Sequence, residues 1–143
     1  PVKAIQIGGP LGGIVPKEKF SELTIDFESF RDKGFLLGHA GFVSIPEDMP
    51  IILYLEHLFE FCSFESCGKC FPCRIGAKRG QEMMRSAMDD GTRLDKTLLE
   101  DLLETMELGS LCAHGGGIPL PIRNAIQYFD QEMRPYYKTG TES

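Results

Sequence analysis

Three cysteines within seven residues, Cys67-Gly68-Lys69-Cys70-Phe71-Pro72-Cys73, constrain this chain more than any other feature, and Cys112 follows thirty-nine residues beyond Cys73. Thiols at intervals of three converge from one tight loop onto three corners of a cubane. A fourth must then arrive from a distant segment. A C-x₂-C-x₂-C run with a remote partner is the pattern of a [4Fe–4S] cluster, with Cys67, Cys70, Cys73 and Cys112 as ligands. The fold must therefore carry the Leu111-Cys112 segment back onto the 67–73 loop. Zinc is the alternative for the same residues, but structural zinc sites divide their cysteines into two separated pairs. Nucleophilic thiol chemistry is disfavoured, because no Cys–His pairing is legible.

The surroundings of the motif are consistent with this reading. Gly68 lets the backbone turn closely around inorganic sulfur, and Pro72 fixes one φ while removing a donor. Lys69, Arg74, Lys78 and Arg79 can offset the charge of a thiolate-held cluster. Their plainer reading is a solvated, basic helix start. Cys62, the fifth cysteine, lies on an apolar helix stripe and is expected to pack in the core as a small hydrophobe. Crowded thiols of odd number suit a metal site in a reducing compartment better than a secreted disulfide scaffold, so the cytoplasm is the expected location.

The net charge of −6 argues against nucleic acid as a partner. The longest apolar stretch, residues 51–61, is interrupted by Glu56, His57 and Glu60 and falls short of the roughly 20 residues of a membrane span, so no direct membrane insertion is expected.

The fold class expected is α+β, with a seam near Pro46 dividing residues 1–46 from 47–143. In the first part Val2 to Ile7 reads as a strand. The Gly8-Gly9-Pro10-Leu11-Gly12-Gly13 loop and a short Ile14-Val15 extension follow it. Asp26 to Lys33 makes a two-turn helix ending at Gly34, and Phe35 to Ile45 one or two strands bent at Gly38 and Gly41. Some 45 residues is little for an independent domain, so this part is expected to be the remainder of a larger β-domain. The second part reads as a four-helix bundle. Ile51, Leu55, Leu58 and Cys62 share one helix face, and a second helix runs from about Arg74 to Asp89. Thr92 to Asp95 resembles a capping box before the Leu94-Leu98-Leu102-Met106 stripe, flanked by Leu99 and Leu103. Pro121 suits the first turn of a last helix carrying Ile122, Ala125, Ile126, Phe129 and Met133.

Several features invite other readings. Gly8 to Gly13 lacks both the Gly-Lys-Ser/Thr ending of a P-loop and the Rossmann glycine order, and a β-turn is expected. His114-Gly115-Gly116-Gly117 resembles an esterase oxyanion loop, but no G-x-S-x-G elbow accompanies it. Its glycines are expected to let the backbone pass close to the cluster. His114 either tunes the site or faces solvent. His39 and His57 have no metal-ligand spacing, and Glu100, Asp101 and Glu104 read as a solvated helix face.

Together, Glu65 to Gly76, Gly109 to Cys112 and the glycine pattern of residues 8–13, 34 and 38–41 resemble the C-terminal part of the NADH-binding flavoprotein subunit. That family is shared by respiratory complex I, NAD-reducing hydrogenases and NAD-dependent formate dehydrogenases. The run Phe61 to Gly80 is most similar to the last. The resemblance implies a partial soluble-ligand-binding β-grasp (SLBB) region followed by a helical [4Fe–4S] domain. It also implies a preceding domain that binds FMN and NADH, so that this chain alone binds neither and does not turn over NADH. The implied task is to pass single electrons between the flavin and further Fe–S centres. The implied partners are a [2Fe–2S] subunit and a catalytic subunit. The alternative is a zinc-stapled module that captures a small ligand or protein without redox activity.

Overall fold

The computed structural model describes residues 1–139, so the end of the expected helical segment lies outside the described residues. Strand β1 (Val2–Ile7) pairs antiparallel with β2 (Gly13–Pro16), Ile5 opposite Val15 and Ile7 opposite Gly13. Strand β3 (Phe42–Pro46) pairs antiparallel with the other edge of β1, giving the order β2-β1-β3. The period of two sorts the side chains. Ala4, Ile14 and Ile45 point to one face and join the helical core, whereas Ile7 and Val15 point to the other and meet Phe30, Phe35 and Leu37. Buried side chains on both faces fit the apolar positions of β1 and β2, whereas β3 leaves Phe42 and Val43 exposed.

Residues 8–12 close the β1–β2 hairpin, as the turn reading of the glycines requires. Gln6 lies beneath the loop and donates through Nε2 to Pro10 O at 2.9 Å and to Gly12 O at 3.2 Å. Helix α1 (Phe27–Asp32) begins at Asp26, whose carboxylate accepts from Ser29 N–H at 2.6 Å. The strands expected over Phe35 to Ile45 reduce to β3. Gly38 and Ala40 both have φ in the left-handed region, at 53° and 58°, which interrupts extended pairing ahead of Phe42.

The α+β class holds, and the helical part is a bundle built on four longer helices: α2 (Ile51–Glu65), α3 (Phe71–Asp89), α4 (Lys96–Gly109) and, after the short α5 (Ala113–Gly117), α6 (Pro119–Tyr128). A further turn, α7 (Asp130–Met133), follows. Three expectations need correction. Helix α3 starts at Phe71, not Arg74, because Pro72 is tolerated in a first turn where its missing N–H has no intrahelical partner. Asp95, not Thr92, caps α4, its carboxylate accepting from Leu98 N–H at 3.0 Å. The last helix begins at Pro119 and is interrupted at Phe129, where ψ is 31°.

The α4 stripe is also shifted. Leu99, Leu103 and Met106 are fully buried, while Leu98 is half exposed. Two adjacent leucine stripes leave the buried face ambiguous in sequence. Packing against α3 decides it, with the Met106 side chain filling the space beside Gly76. Phe59 of α2 fills the corresponding space beside Gly80. Each such buried side chain contributes about 1.5–3 kcal/mol. Glu56 is buried within the same α2–α3 contact, where its Oε1 accepts from Gln81 Nε2 at 2.9 Å and Arg85 Nη2 at 2.6 Å.

Polar side chains join the sheet to the helices. Asn124 of α6 is buried; its Oδ1 accepts from Ile14 N–H at 3.1 Å and its Nδ2 donates to Gly34 O at 3.2 Å. Tyr54 of α2 donates to Gln6 Oε1 at 2.6 Å, and Glu132 of α7 accepts from Ile51 N–H at 3.1 Å. The last contact satisfies a first-turn donor of α2 that Pro50 cannot cap.

Candidate metal centre

The four cysteines lie on two segments that pack together, the N-terminal end of α3 with the loop before it and the α4–α5 connection. Cys67 sits in the loop after α2, Cys70 is the N-cap of α3, Cys73 lies in its first turn, and Cys112 is the N-cap of α5. The start of a 19-residue helix is a favourable place for a thiolate, since the unpaired N–H groups there carry partial positive charge. Cys73 is buried, Cys70 half-buried, and Cys67 and Cys112 are exposed.

Two features tie the distant segments together. Burial raises the pKa of the Cys73 thiol; the Ser66 hydroxyl counters that, and the neighbouring charges of Cys70, Cys112 and Cys67 raise it further. Cys70 moves the other way, its pKa lowered chiefly by the backbone N–H of Leu111, with burial opposing and the Ser110 hydroxyl adding a smaller lowering. A donor beside Cys112 therefore stabilises a thiolate of the 67–73 loop. Among the described residues no group of three or more His, Cys, Asp or Glu side chains is drawn together closely enough to hold a metal ion.

The remaining expected residues divide. Arg74 clasps the loop, donating through Nη1 to Gly68 O at 3.1 Å and lying 4.8 Å from the centroid of the Phe71 ring. Lys78 and Arg79 turn to Gln81 and Glu82 of their own helix. Cys62 is buried in the core as expected, and burial pushes its thiol up to about 12. His114 does not simply face solvent: its Nε2 donates to Cys62 O at 3.0 Å and ties α5 to α2. Glu100 pairs with Arg123 at 2.7 Å, and His39 and His57 are exposed.

The glycines after Cys112 form a turn of helix instead of an open loop. Gly115 is the one that the packing requires, since a Cβ there would lie 2.7 Å from Cys73 Cβ and against Ser110 Oγ. Sequence reasoning gave no role to Ser66 or Ser110. Ser66 Oγ lies 3.3 Å from Cys73 Sγ, and Ser110 Oγ is buried with no hydrogen-bond partner among the described protein atoms. Their adjacency to Cys67 and Cys112 in the chain was the available signal.

Residues 54–136 match the family described as the NADH-ubiquinone oxidoreductase-F iron-sulfur binding region. The chain belongs to this family. Among the relatives of this iron–sulfur protein, subunit HndC of the NADP-reducing hydrogenase of Solidesulfovibrio fructosivorans is 36% identical over 135 residues, covering 94% of the chain and 27% of the relative. The mitochondrial 51 kDa subunit of NADH-ubiquinone oxidoreductase from Neurospora crassa is 29% identical over 131 residues, 91% of the chain and 27% of that protein. The crystal structure of an NAD+-reducing [NiFe]-hydrogenase in the H2-reduced state superposes with a TM-score of 0.80 at 23% identity, covering 98% of the chain and 24% of its counterpart. The chain spans about a quarter to a third of the length of the curated relatives it matches. No helix of the described residues is long and apolar enough to cross a membrane.

Proposed function

We propose that Cys67, Cys70, Cys73 and Cys112 hold one [4Fe–4S] cluster, and that the chain relays single electrons within an NAD-linked oxidoreductase. The observation that carries this reading is the packing of the α3 start, which bears Cys70 and Cys73, against the α4–α5 connection that bears Cys112, in a chain of an iron–sulfur-binding family. The residues present fit such a group. Two packed segments supply four cysteine thiols, the Leu111 N–H lowers the pKa of one of them, Cys70, and the buried Ser110 hydroxyl has no protein partner among the described atoms. When bound, the cluster supplies one-electron chemistry, complementing a flavin that divides a hydride into single electrons.

The work of the protein is to hold the thiolates, limit water on the Cys73 side and leave the Cys67 and Cys112 side open to a partner. Phe64, Phe71, Leu108 and Leu111, close in sequence to the four cysteines, are among the most exposed large apolar residues, at 70–80%. Apolar exposure beside the cysteines suits docking of the FMN- and NADH-binding domain and of [2Fe–2S] and catalytic subunits. In the same reading, residues 1–46 are an SLBB-like platform for the cluster-binding segment 47–143, the location is cytoplasmic, and the parent enzyme is of the formate dehydrogenase type. NAD-linked formate oxidation by the assembled complex tests that last assignment.

Iron and sulfide analysis with electron paramagnetic resonance of the dithionite-reduced chain tests the central reading. Four iron atoms and a reduced-cluster signal are expected. A colourless protein carrying one zinc would sink it.

A further inference from the structure

We infer that Ser66 and Ser110 are positioning residues whose hydroxyls donate hydrogen bonds to cysteine sulfur, Ser66 to that of Cys73 and Ser110 from beside it, and so raise the reduction potential of the centre. The inference rests on the reading above and concerns two side chains to which that reading gives no role.

Ser66 is the C-cap of α2, one residue before Cys67. Its Oγ accepts from Gly68 N–H at 3.3 Å and lies 3.3 Å from Cys73 Sγ. A neutral Cys73 thiol donates to this oxygen. Once Cys73 is a metal-bound thiolate it has no proton to give, and the polarity of the contact must reverse. The Gly68 N–H already occupies one lone pair of Ser66 Oγ, which leaves the hydroxyl proton free to point at the sulfur. Ser110 presents the same chemistry from the other segment. It is the C-cap of α4, two residues before Cys112, and its Oγ is buried and unpartnered among the described protein atoms. Gly115 presses against it from α5, which limits its escape toward water. A buried hydroxyl without a partner is costly, and the geometry places it beside Cys73, since one Cβ added at Gly115 would meet both Ser110 Oγ and Cys73 Cβ.

Hydrogen bonds to cluster sulfurs withdraw electron density and favour the more negative, reduced form. Removing either hydroxyl should therefore move the midpoint to a more negative potential. The test uses the full chain reconstituted with ferrous iron and inorganic sulfide, as the parent and as Ser66→Ala, Ser110→Ala and the double variant. Ser44→Ala, an exposed position on β3, serves as the control. Iron content and a resonance-monitored redox titration are read for each.

The expected result is full iron throughout, a negative shift in each single variant, a larger one in the double, none in Ser44→Ala, and restoration in Ser66→Thr, which keeps the hydroxyl. Iron-replete variants with the parental midpoint overturn the inference and leave the cluster reading intact. A parent that takes up no iron overturns both. Should Ser110→Ala lose iron, thermal melts of the metal-free chains decide. Melting at or above the parental temperature supports the inference, since the lost hydroxyl had no protein partner, and melting below it assigns Ser110 to packing and overturns it.

Discussion

Cys62 and Cys73 are both buried, yet their surroundings assign them different work. Burial comes first among the causes that push the Cys62 thiol up to about 12, so it stays protonated at neutral pH. In the metal-free chain it should be the last of the five cysteines to react with an alkylating reagent, which peptide mass mapping can follow. Cys62→Ser should keep iron while losing about 1–3 kcal/mol of stability, because the hydroxyl enters an apolar site. Serine at Cys67, Cys70, Cys73 or Cys112 should lose or convert the cluster, and full iron retention in Cys112→Ser would remove it from the ligand set. The glycines after Cys112 give a second contrast. Gly115→Ala should impair iron uptake by driving a methyl against Cys73 and Ser110. Gly116 has only an ordinary contact at 3.6 Å, so Gly116→Ala should stabilise α5 by roughly 0.5–1 kcal/mol in a denaturant titration.

Among the elements, α4 shows how a local signal can be placed correctly in kind and wrongly in position. A cap just ahead of the leucine stripe was legible, but the side chain that performs it is Asp95, and Thr92 lies before the helix. The Leu98 N–H holds the Asp95 carboxyl below its ordinary range; burial opposes this and Lys138 assists. A lowered native pKa means that the stabilisation is present above the unfolded aspartate value of about 3.9 and is lost as the pH falls through the native one. Urea melts of the parent should therefore weaken more between neutral and acid pH than those of Asp95→Asn, which keeps a capping oxygen but does not titrate. Equal pH dependence of the two would dismiss this cap as a source of acid sensitivity.

For the molecule as a whole, the sheet and the bundle are joined by a few buried polar contacts. Asn124→Ala should cost about 1–3 kcal/mol in chemical denaturation, since it strips Ile14 N–H of its acceptor inside the core. A cluster bound as proposed would join α3 to the α4–α5 connection, and closing a long loop limits the unfolded chain. Removing iron should raise hydrogen exchange first at residues 66–70 and 109–113. The Phe59–Met84 and Leu99–Leu103–Met106 packing should hold longer, being apolar and fully buried. Equal protection of both segments with and without iron would mean that the scaffold is preformed.

The cysteine pattern and the amphipathic helices were legible in the chain because each rests on spacing along it. Ligand spacing follows from cluster chemistry, and helical faces follow from a period of 3.6 residues. Which of two leucine stripes is buried, where Glu56 finds Gln81 and Arg85, and that His114 bonds to Cys62 O depend on surfaces that meet only after folding. The roles of Ser66 and Ser110 belong to the same class. A serine beside a cysteine is ordinary in sequence, and only burial and the approach of a second segment decide whether its hydroxyl has water or sulfur to bond.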